Sequence, residues 1–79
     1  MPSPLRNFCF TINNYVEETF ASMRQLAEIS SYLIYGKEVG ESKTPHLQGY
    51  CELRKRTRFN RVKSFIPTAH IEPRKGTAV

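Results

Sequence analysis

With 79 residues, 39% of them hydrophobic and none in low-complexity or repeated runs, the chain has room for one small domain, and its composition excludes a disordered tail. A domain of this size buries only about 60 to 65% of its unfolded surface, so its core is marginal; no apolar run nears the ~20 residues of a membrane helix, and Met1-Pro2-Ser3-Pro4-Leu5-Arg6 lacks the apolar segment of a secretory signal, so an intracellular protein off the membrane is expected. The net charge of +5 is uneven: residues 1–53 carry four basic and six acidic side chains, and residues 54–79 carry eight basic and one, which favours a polyanionic partner such as nucleic acid over a merely solvated basic face.

Residues 7–12, Asn7-Phe8-Cys9-Phe10-Thr11-Ile12, alternate bulky and smaller side chains and read as a first strand with Phe8, Phe10 and Ile12 on one face. Asn13 and Asn14 end it, and Asn14 is expected to cap the next helix with help from Glu17. Val16, Phe20, Met23 and Ala27 fall at helical spacing beside Leu26, which predicts an amphipathic helix to about residue 29. Residues 32–38, rich in aromatic and β-branched side chains, form a second strand. A polar loop over 39–45 follows, punctuated by Gly40 and Pro45.

Residues 46–53 read as a third strand. Thr57 is expected to cap a short basic helix over 58–65, with Phe59, Val62 and Ile66 inward and Pro67 ending it. Residues 69–72 form a fourth strand, and residues 73–77 a loop. The order β-α-β-β-α-β predicts an α+β fold, an antiparallel sheet with helices on one face, of the ferredoxin-like kind. The layout serves many functions and decides none.

Strands two and three can close as a hairpin over residues 39–45. Simple register then pairs Glu38 with His46 and Gly36 with Gln48. Cross-strand partners share a face, and His46 and Gln48 are two residues apart on one strand. Glu38, His46 and Gln48 therefore converge, and Gly36 leaves room beside them. A carboxylate, an imidazole and an amide oxygen make an open, oxygen-rich ligand set that favours Mg²⁺ or Mn²⁺ over a closed zinc site. The alternative is ordinary polar surface, and a slip of one residue would turn Glu38 to the wrong face.

Arg54, Lys55, Arg56 and Arg58 surround the expected start of the second helix and can neutralise phosphates, which makes binding salt-dependent. Arg74 and Lys75 can reach nucleic acid from their loop. His70 reads as a structural strand histidine. Cys9 and Cys51 have no ligand-spaced partner and read as buried free thiols.

The motifs resemble those of the Rep proteins of circoviruses, nanoviruses and related circular single-stranded DNA viruses. Phe10-Thr11-Ile12-Asn13-Asn14 resembles their first motif. Pro45-His46-Leu47-Gln48-Gly49-Tyr50 resembles the second, a His-hydrophobe-His metal motif with Gln in place of the second His. Gly36-Lys37-Glu38 lies where the family keeps its metal-binding glutamate, and Ala69-His70-Ile71-Glu72 with Arg74-Lys75-Gly76-Thr77 resembles the segment before the third motif. The resemblance implies an HUH-type endonuclease fold, ferredoxin- or RRM-like, with residues 1–79 as part of the N-terminal endonuclease domain. It implies a rolling-circle initiator acting in the host nucleus, which binds the single-stranded stem-loop of a viral origin. Such a protein nicks and rejoins DNA through a tyrosine joined to the 5′ phosphate. By the same resemblance Glu38, His46 and Gln48 hold Mg²⁺ or Mn²⁺. Thr11, Asn13, Asn14, Arg54, Lys55, Arg56, Arg58, Arg74 and Lys75 contact DNA, and the full-length protein can form homo-oligomers.

The family's nucleophile lies in a Tyr-x-x-Lys motif on a helix beyond the position of Thr77. Tyr15, Tyr32, Tyr35 and Tyr50 have Glu18, Tyr35, Glu38 and Leu53 three residues on, so none fits that motif. The 79 residues are expected to lack the nucleophile and its helix, and by themselves to be inactive in cleavage. Two other readings remain: a non-catalytic single-stranded nucleic-acid-binding module of the same layout, and an inactive Rep fragment.

Overall fold

The computed structural model describes residues 4–39 and 44–74. The elements run β1 (Leu5–Asn13), α1 (Glu17–Glu28), β2 (Ser30–Val39), β3 (Pro45–Thr57), α2 (Phe59–Phe65) and β4 (His70–Arg74). The strands form one antiparallel sheet in the order β2-β3-β1-β4. Each helix thus links two strands that have a third strand between them, the α+β ferredoxin-like arrangement expected from the order of elements.

The alternation of β1 fixes which face is covered. Phe8, Phe10 and Ile12 are buried, as are Leu47, Cys51 and Leu53 of β3. Met23 and Leu26 of α1 close over them with Val62 and Ile66 from and just after α2, joined by Ala69 and Ile71. Burying each large apolar side chain contributes about 1.5–3 kcal/mol. Gly49 lies opposite Phe10 in the register. A Cβ there would lie 2.5 Å from the Ile34 carbonyl oxygen and 2.6 Å from Phe10 Cζ, so the Phe10 ring packs where a side chain would otherwise stand.

Several local expectations give way. Asn14 does not cap α1: its φ of 53° puts it in the left-handed region, which Asn tolerates, and its N–H donates to the Pro45 carbonyl at 2.9 Å. Val16 stands at the N-cap instead, its N–H donating to Thr19 Oγ1 at 3.0 Å. The buried stripe of α1 is therefore rotated: Met23 and Leu26 are buried, Phe20 partly so, and Val16 and Ala27 are exposed.

Thr57 is likewise no cap. β3 continues through it, paired with Leu5, and its hydroxyl donates to the Lys55 carbonyl. Arg58 is the N-cap of α2, and Arg54, Lys55 and Arg56 belong to the strand. β4 extends to Arg74, which was expected in a loop, because Pro73 and Arg74 pair with Phe8 and Asn7. Cys51 is a buried free thiol whose pKa is raised by burial, whereas Cys9 is only half-buried. The expected loop over 39–45 lies mostly outside the described residues, but its outermost residues Val39 and Pro45 pair with each other.

Candidate functional site

The sheet face away from the helices carries the polar half of each strand's alternation. Four rows cross it. The first runs Glu38, His46, Asn13; the second Gly36, Gln48, Thr11, His70; the third Ile34, Tyr50, Cys9, Glu72; the fourth Tyr32, Glu52, Asn7, Arg74. The hairpin register is the one the sequence predicts, with Glu38 opposite His46 and Gly36 opposite Gln48. Direct cross-strand partners have Cβ atoms about 4.5–5.5 Å apart, and successive rows are about 7 Å apart along a strand.

Glu38 and Gln48 are exposed and His46 is half-buried. His46 Nδ1 lies 3.3 Å from the Thr44 carbonyl oxygen. A carbonyl only accepts, so this contact selects the tautomer with the proton on Nδ1 and leaves the Nε2 lone pair for a ligand. Nothing lies within 4 Å of a Cβ built on Gly36, so the space beside Gln48 is open. Among the described residues no three His, Cys, Asp or Glu side chains cluster to hold a metal; a three-ligand set at this hairpin needs the amide of Gln48. An exposed carboxylate, one imidazole and one amide suit a hard cation that keeps several waters.

The other expected site residues divide. Thr11 and Asn13 stand in the first two rows. Asn14 braces the end of β1 against the start of β3 through its main chain. Arg54, Lys55 and Arg56 are exposed at the other end of β3, about 26 to 33 Å from His46 at the usual strand rise. Arg58 follows them, and Arg74 stands in the fourth row. Lys75 lies outside the described residues.

Arg6, not singled out in the sequence, donates from Nε to the Leu53 carbonyl at 3.0 Å and so adds a cation to that end. Tyr32 and Ile34, read from the sequence only as part of the second strand, share a face with Glu38. Counting back by twos from Glu38 would have found them. His70 is a strand residue as expected, largely exposed, with Nε2 3.2 Å from Glu72 Oε1. No helix among the described residues is long and apolar enough to cross a membrane.

Residues 5–79 match the family model described as "Putative viral replication protein". The chain is 44% identical over 70 residues to the master replication protein of Milk vetch dwarf virus (isolate N), covering 89% of this chain and 23% of that protein. It is 41% identical over 73 residues to the replication-associated protein of Pigeon circovirus, covering 91% and 23%. It is 40% identical over 76 residues to that of Beak and feather disease virus, covering 95% and 26%. The chain spans about a quarter of the length of these relatives. A family match over all but the first four residues, with relatives from both plant and animal viruses, establishes kinship: the chain belongs to the family of viral replication proteins.

Proposed function

We propose that this chain forms the origin-binding and metal-holding part of a rolling-circle replication initiator. The observation that carries the reading is the hairpin register, which sets Glu38 and His46 opposite each other and Gln48 one row away on the uncovered face. Glu38 through its carboxylate, His46 through Nε2 and Gln48 through its amide oxygen would hold Mg²⁺ or Mn²⁺. A cation there supplies charge that polarises a phosphodiester. Thr11 and Asn13 border the same place and would hydrogen-bond the strand. The basic end of β3 would hold phosphates farther along, with the salt dependence that follows.

In the complete reaction a tyrosine oxygen attacks the phosphorus of single-stranded origin DNA. The tyrosine O–P bond forms, the P–O3′ bond breaks, and the departing 3′ oxygen takes a proton. The product is a 5′ phosphotyrosine and a free 3′ hydroxyl, and the reverse attack rejoins the ends. Tyr50 shares the face with His46, but its hydroxyl donates to Glu52 at 2.7 Å, in the row beyond it from Gln48. Tyr15 packs edge-on against Phe20, Tyr35 takes the alternation of the helix-covered face, and Tyr32 stands three rows from Glu38 along β2. The reading therefore assigns the nucleophile to a further segment of the replication protein.

Calorimetric titration with Mn²⁺ tests the ligand set. His46→Ala is expected to lose at least ten-fold in Mn²⁺ affinity while salt-sensitive binding of single-stranded DNA persists; unchanged Mn²⁺ affinity would refute the assignment.

A further inference from the structure

The third and fourth rows of the open face carry an apolar strip that the metal-holding residues do not use. Tyr32 is 50% exposed and Ile34 54% exposed. The Tyr32 and Tyr50 ring centroids lie 6.2 Å apart, tilted by 54°. The Arg74 guanidinium reaches across Cys9, with Nη1 3.5 Å from Cys9 Sγ, and lies 5.9 Å from the centre of the Tyr50 ring. The hydrogen bond to Glu52 holds the Tyr50 phenol from its far end. We propose that Tyr50, flanked by Tyr32 and Arg74, is a stacking seat for one base of single-stranded DNA, next along the strand from the phosphate that Glu38, His46 and Gln48 engage. The inference rests on the functional reading above.

Three features favour a nucleobase over a covering protein segment. First, every base offers a π-face, and four-stranded sheets that bind single strands stack bases on aromatics of their central strands; β3 is central here and carries Tyr50. Second, the charge is right. Arg74 borders the ring, Arg54, Lys55 and Arg56 continue along β3, and Arg6 adds a cation at that end. A guanidinium beside an aromatic can stack on a base or reach a phosphate. Third, the strip is continuous with the proposed metal residues, because Gln48 and Tyr50 are successive open-face positions about 7 Å apart, within one nucleotide's reach. The anchored phenol loses little freedom when a base arrives, which favours affinity.

The test crosses a protein change with a DNA change. Single-stranded oligonucleotides are prepared with an abasic site at each position in turn, and affinities are measured for the whole chain and for Tyr50→Ala and Tyr50→Phe. Stacking of this kind predicts that Tyr50→Ala weakens binding about ten-fold or more while Tyr50→Phe, which keeps the ring, stays within about two-fold. At one DNA position the abasic substitution should cost the wild-type chain a similar factor and cost Tyr50→Ala almost nothing further. Independent losses at every position would overturn the seat.

If Tyr50→Ala fails to fold, a photoreactive 5-iodouracil scanned through the same oligonucleotide decides in the wild-type chain. Crosslinking to Tyr50 or Tyr32 supports the seat, and crosslinking only elsewhere overturns it. Intact salt-sensitive DNA binding without coupling removes the seat alone and leaves the strip to a protein cover. No DNA binding at all removes the functional reading with it.

Discussion

Two glycines separate what the fold requires from what the site uses. Gly49 lies where Phe10 packs, and a Cβ there would sit 2.5 Å from a carbonyl oxygen that cannot retreat without moving β2. Gly36 has open space around the same atom, on the uncovered face beside Gln48. Gly49→Ala is therefore expected to destabilise the domain by about 1–3 kcal/mol or more. Gly36→Ala should stay within about 0.5 kcal/mol. Urea denaturation of both variants checks this, and equal losses would contradict the packing described. His46 is a second case where one atom decides: the Thr44 carbonyl takes the Nδ1 side of the ring, so a metal at this ring would be met by Nε2.

At the scale of elements, the hairpin was the most legible part of the chain. Val39 pairs with Pro45 and Glu38 with His46, and strict alternation then places Gln48, Thr11 and Asn13 without further assumption. Signals that depend on a single local preference were less legible. Asn14 has the side chain of a cap, but a left-handed turn claims it. Thr57 and its basic neighbours lack a strand's apolar alternation, and long-range pairing of Leu5 with Thr57 draws them into β3 nonetheless. Arg74 looked like a loop residue for the same reason, since only its partner Asn7 makes it a strand residue. These extensions set the basic end of β3 well away from the hairpin. Charge reversal of Arg54, Lys55 and Arg56 together should weaken single-stranded DNA binding and flatten its slope against salt, with Mn²⁺ affinity unchanged within about two-fold. An unaltered salt slope would exclude that segment from the DNA path.

For the whole molecule, the sheet divides the work. One face meets both helices and supplies the core; the other holds the polar rows, the tyrosine strip and Arg74. The exposed positions of the open rows, Glu38 and Gln48 among them, can therefore change with little cost to packing, which matters in a chain of 79 residues with total stability of roughly 4–12 kcal/mol. The division also makes the site readable apart from the fold. The measurement that bears most directly on the account is Mn²⁺ titration of the isotope-labelled chain followed by NMR line broadening. Broadening is expected to be strongest at Glu38, His46 and Gln48, to extend to Asn13 and Thr11 across β1, to fall off with distance so that the basic end of β3 is the least affected part of that strand, and to be lost in His46→Ala. A dispersed spectrum with broadening centred elsewhere, or with none, would contradict it.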